Sequence, residues 1–251
     1  MDVLMMFATT RRVLEQLRHD HRSIAMILVV PALLLTAVYF LYENETLPPG
    51  VPRTFDRVGL MMLAIFPFVV MFLVTSITML RERTSGTLER LLTTPAHKGD
   101  LLFGYALAFS IMAALQSLVA TAVAYWIFDL DIEGPPGFVV LIAVINAVLG
   151  VALGLLCSAF ARTEFQAVQF MPVVVVPQIL LCGLFVARDR MNDVLEAISN
   201  VLPLTFSVDA LQEIAANPEA TERMWQDAAI MGAIVLGVLV LASLTLRRRT
   251  E

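Results

Sequence analysis

Six stretches of this chain contain no Asp, Glu, Lys or Arg and are long enough to cross a bilayer: Ile24–Tyr42, Val58–Leu80, Leu101–Phe128, Phe138–Phe160, Phe165–Ala187 and Ala228–Leu246. They run from 19 to 28 residues. About 20 apolar residues cover a hydrocarbon core roughly 30 Å thick. One charge near a helix centre would cost about 2.5–3.5 kcal/mol on insertion. The chain is also 59% hydrophobic and 16% charged, against about 45–50% and 25% in soluble domains. The expected fold is an all-α membrane protein of six transmembrane helices, one domain over residues 1–251.

Lysine and arginine set the expected orientation, because cytoplasmic loops carry the excess. With the N-terminus inside, the inner segments hold 12 of the 17, among them Arg11, Arg12, Arg81, Arg83, Arg90 and Arg247–Arg249. The outer segments hold 5. Both termini are therefore expected in the cytoplasm. No small-x-small cleavage site follows the first run, which reads as a retained span rather than a removed leader.

Residues 3–20 alternate Val3, Met6, Val13 and Leu17 with Arg11, Arg12, Glu15 and Arg18. That pattern suits a helix lying in the cytoplasmic interface; a frayed terminus is the alternative. Between the fifth and sixth runs, Met191, Val194, Leu195, Ile198, Val201 and Leu202 form one stripe, broken by Pro203. Val208, Leu211 and Ile214 form another, ended by Asn217-Pro218. Two short outer helices that lie on or dip into the outer face are expected there; a solvated cap is the alternative.

Catalytic patterns are missing from the sequence. His19, His21 and His97 fall outside the spans, and no HExxH, Gly-x-Ser-x-Gly or Walker A pattern occurs,. Cys157 and Cys182 lie in apolar runs without ligand spacing,. The net charge of −5 offers no basic surplus for nucleic acid,. Ion-coupled carriers usually place ionisable groups inside spans, and none is present. No catalytic residue, cofactor or metal is expected on this chain. Polar side chains within the runs read first as helix–helix contacts. A sharper reading makes Phe66, Phe68, Thr75, Gln116, Gln169 and Gln178 a substrate pathway. Pro31, Pro67, Pro172 and Pro177 can kink spans. Gly150-x-x-x-Gly154 permits close helix approach.

Energy must then arrive from elsewhere, and the segment Arg81–Asp100 offers a docking surface. Thr84, Ser85 or Thr87 can cap a helix, and Gly86 permits close backbone approach. Leu88, Leu91 and Leu92 share a face, Glu89 and Arg90 flank it, and Pro95 stops it,. Such a helix, held between two spans, suits a lever pushed by a partner protein.

These residues resemble the signature of ABC-2 type permeases, the membrane subunits of ATP-binding-cassette exporters. Arg81, Glu82, Arg83, Gly86, Thr87, Glu89, Leu91, Thr94 and Pro95 match in place, and Leu202-Pro203-Leu204-Thr205 resembles a turn after the fifth span. The resemblance implies a cytoplasmic coupling helix seated in a separate ATP-binding subunit, two copies per transporter. Arg83, Gly86, Thr87, Leu88, Glu89, Arg90, Leu91 and Leu92 would form that interface. It also implies ATP and Mg on the partner, and a second permease chain as homodimer or heterodimer, packed through the first, second and fifth spans. The apolar outer half of the spans, without a cationic ring, tilts the expected substrate towards a lipophilic drug-like molecule or lipid, exported across a bacterial plasma membrane. An ion-gradient-driven carrier or channel-like protein is the alternative.

Overall fold

The computed structural model describes residues 2–48, 51–93 and 97–245. Thr94, Pro95 and Arg247–Arg249 lie outside the described residues, as do the side chains of Glu89 and Leu92. The described residues form α-helices with one short 3-10 turn and no strand. Six stretches are long and apolar enough to cross a membrane: α2 (His21–Tyr42), α3 (Thr54–Thr84), α5 (Lys98–Trp126), α6 (Pro136–Cys157), the pair α7 (Glu164–Val174) with α8 (Val176–Leu181), and α11 (Glu222–Thr245).

One seam fixes the centre of the bundle. Asn146, Gly150 and Gly154 fall four residues apart on α6, opposite Ala64, Phe68 and Phe72 on α3. Residues four apart stack on one helix face. Asn146 Nδ2 donates to the Ala64 carbonyl at 2.9 Å. A Cβ at Gly150 would stand 2.4 Å from the Phe68 carbonyl oxygen, and one at Gly154 2.6 Å from that of Phe72. The glycine pair thus lets two parallel backbones meet with only hydrogen between them, and the asparagine sets their register. Helix α3 is accordingly buried along most of its length.

Helix α2 buries only Ile27, Pro31 and Leu35, again at four-residue steps. Met26, Val29, Leu33, Leu34, Phe40 and Leu41 remain exposed, an apolar face fit for lipid or another chain. Its N-cap is Asp20, which accepts from Ser23 N at 3.2 Å and Ser23 Oγ at 2.6 Å. Those bonds to Ser23 hold the Asp20 carboxyl below its ordinary value. A depressed carboxylate adds stability above its unfolded pKa, about 4, and loses it as pH falls through the folded value. Asp20→Asn is therefore expected to shrink the drop in melting temperature between pH 6 and pH 3. Equal drops in both proteins would remove Asp20 from the account.

Helix α1 (Val3–His19) buries Thr9, Thr10, Val13 and Leu17. Thr10 Oγ1 donates to the Gly104 carbonyl of α5 at 3.1 Å. A side chain on Gly104 would collide with Thr9 and the Met6 carbonyl, so this glycine is the notch in which α1 sits. The fully buried Asp100 joins the two helix starts, accepting from His97 N at 3.1 Å and Asp2 N at 3.0 Å. Val3, Leu4 and Phe7 stay exposed.

One expectation needs correction. The fifth span is not one helix to Ala187: it breaks at Val175, and helix ends at Leu181. Pro177 lacks an N–H and its ring crowds the carbonyl four residues earlier. Gly183 then turns the chain with φ 91°. Pro203, which ends the first stripe, also starts α10 (Pro203–Ala216), because proline suits the first helical turn,. Leu204, Val208, Leu211 and Ile214 are buried, so of the two outer helices α10 is the one that dips into the bundle. Helix α9 (Asp193–Ser199) meets it at 86°. Val194, Leu195 and Ile198 stay exposed. The connection between α5 and α6 closes over this end: Glu133 N donates to the Ala215 carbonyl at 3.3 Å, and a Cβ at Gly134 would stand 2.3 Å from the Ile214 carbonyl oxygen.

Candidate functional site: the Arg81–Thr93 junction

Helix α3 runs on through the Arg-Glu-Arg triplet to Thr84. Successive residues on a helix point about 100° apart, and the three charges reach three places. Arg81 forms a paired bond with Glu164 at the start of α7, at 2.7 and 3.0 Å. Glu82 lies 3.9 Å from Arg12 of α1. Arg12 also donates to the Tyr105 hydroxyl of α5 and stands 5.5 Å from that ring's centre. The Nε and Nη2 of Arg83 are buried with no acceptor within this chain's described residues.

The turn after α3 uses Gly86 at φ 74°, a left-handed conformation that glycine adopts without a Cβ penalty. Gly86 is the N-cap of α4 (Thr87–Leu92), with no side-chain cap. The expected hydroxyl caps go elsewhere: Thr84 Oγ1 donates to the Leu80 carbonyl at 3.1 Å, and Ser85 and Thr87 hydroxyls pair at 3.0 Å. The far end closes on Thr93, whose Oγ1 donates to the Arg90 carbonyl at 2.7 Å.

Leu88 and Leu91 turn inward. Leu88 is buried in the same core as Val13, Leu17, Leu101 and Tyr105, and Leu91 packs half-buried against it. Leu88 therefore anchors α4 to its own chain in this conformation, and Arg90 and Thr93 are exposed. Beside this junction lies a cavity of about 260 Å³, lined by Leu17, Asp20, Glu82, Ser85, Thr87 and Tyr105 among others.

The six residues read as a pathway do not gather in one place. Phe68 is buried at the α3–α6 seam, and Phe66 is half-buried. Thr75 and Gln116 are fully buried, and their side-chain polar atoms have no partner among the described residues. Gln178 is a structural staple: its Oε1 accepts from Leu204 N at 3.3 Å and its Nε2 donates to the Val174 carbonyl at 2.8 Å. Gln169 is exposed and lines a cavity of about 410 Å³ with Phe160, Arg162, Gln166, Phe170 and Val173. Sequence reasoning missed Arg12, Tyr105, Asp100 and Glu164. The first three sit on faces set by α1 docking on α5, which no local pattern encodes. Glu164, the residue just before the fifth run, gave no sequence signal of its pairing with Arg81, 83 residues earlier.

Six membrane-length helices with a short helix between two of them define a multi-pass membrane protein. The chain belongs to the ABC-2 type transporter family, whose model matches residues 5–215. It is 28% identical over 153 residues to ABC transporter G family member 20 of Dictyostelium discoideum, covering 61% of this chain and 21% of that protein. It is 26% identical over 164 residues to the probable multidrug ABC transporter permease YbhR of Escherichia coli (strain K12), covering 65% and 45%. Similarity to the linearmycin resistance permease protein LnrN of Bacillus subtilis (strain 168) is 26% over 140 residues, covering 56% and 36%. The matches thus span less than half the length of each of these relatives.

Proposed function

We propose that this chain is a membrane-spanning permease component of an ATP-driven exporter, with the α4 end in the cytoplasm. The observation that carries the reading is the α3–α4 junction. A short helix is pinned to the bundle by Leu88 while Arg90 faces outward, at the end of the longest and most buried span. A push on α4 is transmitted into α3, and from there along the Asn146–Gly150–Gly154 seam into α6. Arg81 and Glu82 connect the same point to α7 and α1.

The six sequence runs without Asp, Glu, Lys or Arg support an energy source other than an ion gradient, since ion-coupled carriers usually place ionisable groups within such runs,. ATP and Mg then belong to an ATP-binding-cassette subunit, two per transporter. The buried, unpaired Arg83 nitrogens suit an acceptor supplied on assembly, because an unpartnered buried cation is costly. The exposed apolar faces of α2 and α7 suit lipid and a second permease chain. The substrate class is a lipophilic drug-like molecule or lipid, in keeping with what the names of YbhR and LnrN say of those relatives.

The test is co-purification with an ATP-binding-cassette subunit, followed by ATPase assay. Arg90→Glu should lower stimulated turnover about tenfold, the effect of losing about 1.4 kcal/mol of interface energy. Membrane insertion and melting temperature should not change, because Arg90 is exposed. Unaltered coupled turnover in Arg90→Glu and Glu89→Arg together would defeat the assignment.

A further inference from the structure

At the end of the bundle opposite α1, the chain leaves the fifth span at Leu181, turns at Gly183, and returns as α9 and α10. Two polar seams hold this hairpin. The first is the Gln178 bond to Leu204 N, joined by Ser199 Oγ donating to the Leu181 carbonyl at 2.7 Å. The second is built around Asp209 of α10, whose side chain is only 13% exposed.

Arg188, in the 3-10 turn Arg188–Arg190, donates one Nη to Asp209 and the other to Asn200 Oδ1 at 3.0 Å. It thereby ties the end of the fifth span to both legs of the hairpin. Arg223, in the first turn of α11, approaches Asp209 at 3.9 Å and Glu213 at 4.0 Å. Asp209 is the one carboxylate on which both arginines converge. One helical turn beyond Arg223, the buried Asp227 presents Oδ2 with no partner among the described residues. Arg188 and Arg223 therefore face three carboxylates, and Asp209 holds the shared position. Behind the cluster lies a cavity of about 330 Å³, lined by Cys182, Gly183, Arg188, Asp209, Glu213 and Arg223 among others. Cys182 itself is fully buried.

We infer that Arg188, Asp209 and Arg223 form a latch that fastens the returning hairpin to α11 and closes the cavity over Cys182. Each contact joins different elements of the chain, and none lies within one helix. Releasing Asp209 frees both the fifth-span end and α11 at once. Its place in a transport cycle, as the fastening released when that end opens, rests on the exporter reading. The latch itself does not.

Cys157 and Cys182 are the only cysteines, so Cys157→Ser leaves one native reporter. The full chain in lipid nanodiscs is treated with a membrane-impermeant maleimide at one fixed pH. Labelling should be slow in this background. Asp209→Asn, and independently Arg188→Gln, should raise its rate at least about tenfold, because labelling tracks the open population. Asp209→Glu should keep it slow. Arg223→Gln, at an exposed side chain, should raise it less and fold normally. Equal rates in the background, Arg188→Gln and Arg223→Gln would overturn the latch, as would fast labelling of the background itself. No ATPase is present, so these results do not depend on the exporter reading. Failure of that reading would show separately, as no complex with an ATP-binding subunit while the labelling contrast persists.

Discussion

Gly150→Leu should destroy the native bundle or lower its melting temperature more than any other single change in the spans. The Cβ position lies 2.4 Å from the Phe68 carbonyl oxygen, and that atom is backbone, so it cannot swing aside. Accommodating leucine requires α3 and α6 to separate, which also stretches the Asn146 bond to the Ala64 carbonyl. Overpacking of a tight site typically costs about 1–3 kcal/mol, and here the larger end applies because two helices must move. Gly150→Ala should fall between leucine and wild type. Gly232→Ala has the opposite expected sign: nothing lies within 4 Å of its Cβ position, so only helix propensity acts, a gain of up to about 1 kcal/mol. Thermal unfolding in detergent ranks the variants. A Gly150→Leu protein that melts with wild type would show that the seam is not the centre of the fold.

Arg12→Met should be the second large effect, and it should shrink when Glu82 is changed as well. Arg12 and Glu82 have side chains 28% and 12% exposed, and Tyr105 shares the arginine. Removing the cation alone leaves a largely buried carboxylate near the Tyr105 hydroxyl with no positive charge beside it. Breaking such a pair from one side costs about 3–5 kcal/mol, whereas replacing both partners can be nearly neutral. Arg12→Met is therefore expected to melt well below the double variant Arg12→Met/Glu82→Gln. Both variants should also loosen α1 from the α4 end of α3. Strictly additive melting shifts would mean that the 3.9 Å contact contributes nothing and that α1 is held by the Gly104 notch alone.

How much of this was legible beforehand varies with the physics involved. The six spans were readable because transfer of a segment into hydrocarbon depends on its own side chains. Their ends were less so. Helix α3 continues past Leu80 through three charges, and the fifth span stops at Leu181, six residues before its apolar run does. The short helix after the second span was readable from Gly86 and its leucines. The direction of those leucines was not, because a stripe shows only that a face is buried, and the same pattern serves its own bundle or a partner. The six residues read as a pathway share only polarity or aromaticity. Gln178 turned out to be a staple, and Gln169 an exposed lining residue.

The sequence by itself determined that six runs without Asp, Glu, Lys or Arg are long and apolar enough to cross a membrane, and that a family signature follows the second of them. These are local quantities, summed along one segment at a time. Tertiary structure alone decided that Gly150 and Gly154 meet the carbonyls of α3, that Leu88 points inward, that α10 re-enters the bundle, and that Arg188 and Arg223 share Asp209. Each of these pairs residues far apart in the chain. Their distances depend on how the helices settle against one another, and close packing against backbone admits only the side chains that fit.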